Sequence, residues 1–407
     1  MSSQTIYRAI FFVFIASFIL GGYLLENLGI KYVSEGGNPL VKIHISTYIL
    51  ILTFTFFTLR KGFFSPLKNL KELRSAWLIS VLSIVMVIIY GLFRFGTSGM
   101  AYLVDTMAAP LLAIYLLSQL SHIYKNKLLR LLAYLLFVNS LIAILEFILG
   151  STLLSVEFSN FSYFRSSALL THPLNNALIT AALAPVLMRH TRIPYLIYFT
   201  VVIMALFAFG GRGATGMFLL GMFLLLIPKV PSFISNGIKI SRIRFAVIQA
   251  LAFFVSIFTI LVITFTPIGS RILSKLHIDG SAQARFDVFI ILEQLNLAEW
   301  LFGASLSIME NIKFYIGINT IENYIIGWIL SFGLIATILL LITCYSTSVK
   351  IALRGNSQSK VALFVLLGAS VTNNALTTKT PVLLFFISCL YLIYSMEKND
   401  DKNIEDE

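Results

Sequence analysis

The chain has 407 residues, of which 58% are apolar, 14% aromatic and only 12% charged. That composition excludes an ordinary soluble globule of this length. The formal charge of +12 does not by itself indicate a nucleic-acid partner, because in a membrane chain the positive residues must first be sorted by side.

Apolar windows of about 17 to 22 residues recur from end to end, long enough to cross a hydrocarbon core of roughly 30 Å. The reading is an all-α polytopic membrane protein, with residues 1–407 as a single integral membrane domain. Twelve spans are expected near 6–25, 42–59, 76–93, 101–120, 131–149, 173–188, 193–209, 214–227, 245–265, 324–345, 361–376 and 381–396. The first run has no clear small-residue cleavage site and reads as a retained span rather than a signal peptide. The eleventh is short, and a re-entrant segment is the alternative. With both termini inside, 20 Lys and Arg fall on the cytoplasmic side and 10 outside, as the positive-inside rule requires. Residues 266–322 then form one large outer loop with surface helices, and 397–407 a charged cytoplasmic tail.

The two cysteines, Cys344 and Cys389, lie far apart in apolar segments, which suggests neither a disulfide framework nor a thiolate metal site. The five histidines have no ligand spacing, so no metal and no cofactor is expected.

Arginines at the outer ends are the unusual feature: Arg165, Arg212, Arg271 and Arg285, besides Arg94. A guanidinium fork matches phosphate oxygens and stays charged, so several converging on one outer cavity would hold a lipid-linked diphosphate. The alternative is pairing with phospholipid or with acids such as Asp105 and Glu146. Arg212 lies in "FAFGGRGATGMFLL", where Gly211, Gly213 and Gly216 satisfy G-x-G-x-x-G. A dinucleotide loop needs a preceding strand and a βαβ unit, and the flanking apolar runs read as two spans. Close helix packing through small residues, or a snorkelling arginine, are the competing explanations.

Before the sixth span, "FSYFRSSALLTHPLNN" sets Tyr163 and neighbouring rings beside Arg165 and His172. Rings next to polar groups suit a sugar, although an interfacial aromatic belt explains them as well. His172, just before Pro173, reads as a local cap. Glu322 opens the tenth span beside Asn323, either as a helix N-terminal cap or as a general base. Glu35 in the first outer loop is a reserve candidate for that base.

In these residues the chain resembles the O-antigen ligase and Wzy-type polysaccharide polymerase superfamily of bacterial membrane glycosyltransferases. Arg165-Ser-Ser-Ala-Leu169 matches that family's R-x3-L motif. Its His-Asn followed after nine residues by G-x-x-G is matched in register by Glu322-Asn323 and Gly333-Leu-Ile-Ala336. The histidine has become glutamate and the last glycine alanine. "ARFDVF" with Arg285 and the turn at Arg212 also resemble family positions.

The resemblance implies a GT-C-like fold of about twelve helices in the bacterial cytoplasmic (inner) membrane, with the active site facing the periplasm. It implies a polymerase of O-antigen, capsule or exopolysaccharide repeat units carried on undecaprenyl diphosphate, working beside a chain-length regulator and a flippase, with membrane lipid around it and no nucleic acid. Glu322 and Arg212 would be catalytic. Arg165, Arg285, Arg271, His172, Asn323 and Tyr163 would bind substrate. An O-antigen ligase acting on lipid A core is the nearer alternative, weakened by the missing histidine. A lipid-linked oligosaccharide flippase is the more remote one, since no repeat of two halves is visible.

Overall fold

The computed structural model describes residues 2–34, 36, 38–154, 164–170, 172–237, 241–265, 289–305, 308, 321 and 323–405. These residues are helical with loops between, and no strand occurs among them. The principal helices are α1 (Ser3–Ile19), α2 (Ile45–Lys61), α3 (Arg74–Phe95), α4 (Ala109–Leu117), α5 (His122–Leu149), α6 (Pro173–Leu187) and α7 (Tyr195–Phe209). They continue as α8 (Arg212–Leu226), α9 (Arg242–Phe265), α10 (Leu297–Phe302), α11 (Tyr324–Arg354), α12 (Ser357–Ser370) and α13 (Val382–Glu405).

Among the described residues, four helical stretches are long and apolar enough to cross a membrane: Phe64–Phe95, His122–Leu149, Arg212–Asn236 and Tyr324–Arg354. Shorter apolar helices accompany them, among them Ser3–Ile19, Leu103–Leu117, Tyr195–Phe209 and Val382–Glu397. The helical membrane class therefore stands.

Two compact units divide the chain: residues 1–225, 296–305 and 322–407 form the larger, and 226–295 with 306–321 the smaller. In the larger, α11 packs chiefly on α3, α6 on α12, α5 on α7, and α13 on α4. The α3–α11 contact uses small polar groups, with Ser80 and Thr347 hydroxyls 3.3 Å apart and Thr343 donating to the Ser80 carbonyl at 3.4 Å. Such groups permit close approach where lipid supplies no hydrophobic drive between helices. Apolar packing closes the rest, as in Phe18 against Phe385, ring centroids 4.7 Å apart. Large apolar side chains such as Leu59, Phe93 and Ile148 point outward, as lipid-facing positions do. In the smaller unit, α9 is a single apolar helix of 24 residues.

Several expected spans have different ends. The first helix stops at Ile19, and the chain turns at Leu20 before a short helix, Gly22–Asn27. The fourth span begins with a π-helical turn, Leu103–Ala108, ahead of Pro110. The tenth is broken at Gly333, whose φ of 80° no helix contains. The eleventh is only 14 residues long.

Candidate functional site

Irregular backbone inside a helical bundle needs every polar group satisfied, and tends to occur where it lines a cavity. Residues 164–170 and 172, between α5 and α6, are such a segment, and buried side chains of the flanking helices hold them. Glu146, near the end of α5, is fully buried. One of its oxygens accepts from the Leu153 amide at 2.9 Å, and the other from the Ser166 hydroxyl at 2.5 Å and the Ser167 and Ala168 amides at 2.9 Å. Consecutive amides pointing at one anion form a nest, and Ala168 takes a positive φ of 42° within it.

Two helical turns earlier the network continues. Asn139, two turns before Glu146 on α5, accepts from the Leu169 amide at 3.0 Å and donates to Asn176 at 2.8 Å. Asn176 in turn donates to the carbonyls of Ser167 at 2.6 Å and His172 at 3.1 Å. The R-x3-L segment is thus a fixed platform. Its Arg165 is partly buried.

The platform is tied to the arginine turn. Ser166 donates its amide to the carbonyl of Ala208, in the last turn of α7, at 3.0 Å. Four residues on, Arg212 opens α8 and is exposed. Gly211 sits against α6, where a side chain would collide with that of Ala177. Small-residue packing explains this glycine, and with no strand before it the dinucleotide reading fails. Arg165 and Arg212 therefore belong to adjoining segments at one end of the bundle.

His172 is the N-cap of α6, its ring Nδ1 accepting from the Asn175 amide at 3.4 Å. Burial, and then the positive charge of Arg165, push this imidazole down to about 4. The ring is neutral at ordinary pH, which its acceptor role requires. Asn323 is the N-cap of α11, with its side-chain oxygen accepting from the Ile325 and Ile326 amides at 3.0 and 3.3 Å. The cap anticipated for Glu322 is supplied by Asn323. Glu322 itself, Arg271, Arg285 and Tyr163, with Glu35, lie outside the described residues.

Arg94 is occupied in the fold. Its guanidinium donates to the carbonyls of Phe302 and of Ala304, the latter at 2.6 Å, and so holds the end of α10. That end fits the break in α11, where Ala304 donates to the Leu330 carbonyl at 2.8 Å. A side chain on Gly333 would strike the Leu301 carbonyl, so the first glycine of the G-x-x-G match has a steric reason.

Among the described residues, neither Asp105 nor Glu146 pairs with Arg165 or Arg212. Glu146 is held by the neutral donors above. Asp105, buried in the π-helical turn, accepts from the Tyr32 hydroxyl at 2.8 Å and the His44 amide at 3.1 Å. His44 also bonds the Leu20 carbonyl through Nε2 at 2.7 Å. Lys379, between α12 and α13, donates to the Tyr32 carbonyl at 2.5 Å. Thr106 donates to the Thr378 carbonyl at 2.7 Å, and Asn373 to that of Leu174 at 3.0 Å. These hydrogen bonds join the loop after α1 and the π turn to the α12–α13 loop, and that loop to the first turn of α6.

Asp105, Glu146 and Lys379 were not among the site residues drawn from the sequence, and the signal for the first two was their presence as acids near span ends. No known family pattern and no curated protein sequence matches the chain.

Proposed function

We propose that the chain is a polysaccharide polymerase of about twelve spans in the bacterial cytoplasmic membrane. It joins repeat units carried on undecaprenyl diphosphate at the outer face. The supporting observation is the Ser166–Ala208 hydrogen bond, which joins the Arg165 platform to the turn that carries Arg212. Two guanidinium groups on adjoining, rigidly held segments suit a diphosphate, whose charge grows as it departs.

In this reading a hydroxyl oxygen of one repeat unit attacks the anomeric carbon of the growing glycan from the face opposite the diphosphate. The carbon–oxygen bond to the diphosphate breaks, and the diphosphate leaves with the electron pair toward Arg165 and Arg212, with Arg285 and Arg271 as further donors. Glu322 takes the hydroxyl proton. The transfer inverts the anomeric centre and needs no metal.

The glycan ladder of a deletion strain tests the reading. Loss of long chains with one repeat unit retained is the expected outcome. Loss of every repeat unit points to ligase or flippase activity instead, and an unchanged ladder removes all three.

A further inference from the structure

A small cavity of about 50 Å3 lies between the end of α1, the π turn, the start of α6 and the α12–α13 loop. Its walls include Ser17, Asp105, Leu170, Asn175 and Lys379. Asp105 accepts from the Tyr32 hydroxyl and the His44 amide, so it fixes the wall rather than offering a free acceptor. The spare capacity is elsewhere. Ser17 is 5% exposed, and its hydroxyl has no hydrogen-bond partner. The buried amide oxygen of Asn175 has none either. Lys379 carries three protons, and its described hydrogen bond, to the Tyr32 carbonyl, uses one.

Leaving such groups unpaired in a buried wall costs free energy unless something fills the space. The charges select what can. One carboxylate and one ammonium sum to zero, so Asp105 opposes an anion and Lys379 opposes a cation. A neutral group that both donates and accepts satisfies Ser17, Asn175 and Lys379 together. The volume admits a hydroxyl or hydroxymethyl group, or a few waters. Leu170, five residues after Arg165, lines the cavity together with Asn175 in the first turn of α6, so the cavity wall continues the chain that carries Arg165.

We propose that this cavity is a subsite for a neutral saccharide, receiving one hydroxyl or hydroxymethyl group on Ser17, Asn175 and Lys379. The proposal rests on the glycosyl-transfer reading, in which an uncharged sugar must be held next to the cationic one.

The test is the melting temperature of the purified full-length protein in detergent, titrated separately with neutral disaccharides (lactose, maltose and chitobiose) and with inorganic pyrophosphate. A disaccharide should raise it. Asn175→Leu and Ser17→Ala should each weaken that response about tenfold, the scale of one or two lost hydrogen bonds. The pyrophosphate response should persist in both variants and vanish in Arg165→Ala. If Asn175→Leu fails to fold, the milder Ser17→Ala carries the comparison. No disaccharide response in the wild type, or a response in both variants unchanged from the wild type, overturns the subsite and leaves a cavity that holds water only. A response lost in the variants, with an unchanged glycan ladder in the deletion strain, keeps the subsite and removes the polymerase reading. A polymerase ladder without a disaccharide response does the reverse.

Discussion

Ser166 donates its amide to the Ala208 carbonyl at 3.0 Å, and Arg165 and Arg212 stand one residue before and four residues after the two ends of that bond. Two segments far apart in sequence thereby become one unit. If both arginines serve a departing diphosphate, Arg165→Ala and Arg212→Ala should each reduce polymer formation strongly while abundance stays near normal. Loss of one such donor commonly costs about 2.7–4 kcal/mol in the transition state. Lysine at either position should recover only part, because a point charge cannot reproduce the bidentate fork. Normal chain length in both alanine variants would end the diphosphate assignment.

Glu146 offers a prediction about the platform rather than the chemistry. Its carboxylate accepts from the hydroxyl of Ser166 and the amides of Leu153, Ser167 and Ala168. Glu146→Gln turns an amide group toward donors that need acceptors. Each buried donor left unmatched costs about 1–3 kcal/mol, so folded yield and melting temperature should both fall. The same melting temperature in the Gln variant would show that the 166–168 backbone holds its shape without the anion.

Gly333 and Ala336 should respond unequally, although both stand in the G-x-x-G register. Gly333 has φ 80° and faces the Leu301 carbonyl, so Gly333→Ala should destabilise by more than about 1 kcal/mol. Ala336 is a buried helical residue, and Ala336→Gly should cost only about 0.5–1 kcal/mol. Thermal melting of the two variants in detergent makes the comparison, and equal losses would deny the break its steric cause.

The helices were legible because their information is local: runs of apolar residues of spanning length. Their interruptions were not. The stop at Leu20 depends on His44, which bonds its carbonyl from 24 residues away, and the break at Gly333 depends on α10 docking there. Arg165 and Arg212 stand out because the expected topology puts positive charge on the disfavoured side. Lys379 has the same sign and the same expected side, yet its contact with Tyr32 spans 347 positions. Asp105 and Glu146 suggested partners of opposite charge, whereas the fold supplies amides and hydroxyls, which every sequence contains. No spacing encodes such a choice.

His172 predicts a pH dependence of stability. Its folded-state value of about 4 lies below the ordinary histidine value of about 6.5. Between those limits the unfolded chain takes up a proton that the folded chain refuses, so stability falls as pH drops through that window. Below about pH 4 both forms are protonated and this contribution levels off. His172→Asn keeps a capping acceptor and should flatten the acid limb of the melting curve. Arg165→Ala removes the repelling charge and raises the folded-state value, so the limb should end at a higher pH and its total loss should be smaller. An acid limb identical in all three proteins would assign it to other groups.

Asn323 makes the experiment on Glu322 interpretable. Because Asn323 accepts from the Ile325 and Ile326 amides, α11 has its N-cap without the neighbouring carboxylate. Asn323→Ala should cost about 0.5–2 kcal/mol of stability, the usual loss for such a cap. Glu322→Gln should leave the melting temperature unchanged, since it removes only the ability to take a proton. If Glu322 is the base, activity should nevertheless fall roughly 10²- to 10⁴-fold. Glu322→His, which restores the residue of the ligase pattern, should retain part of the transfer. Two results would separate the roles the other way: full activity in Glu322→Gln removes the base assignment, and a fall in melting temperature equal to that of Asn323→Ala makes the carboxylate structural.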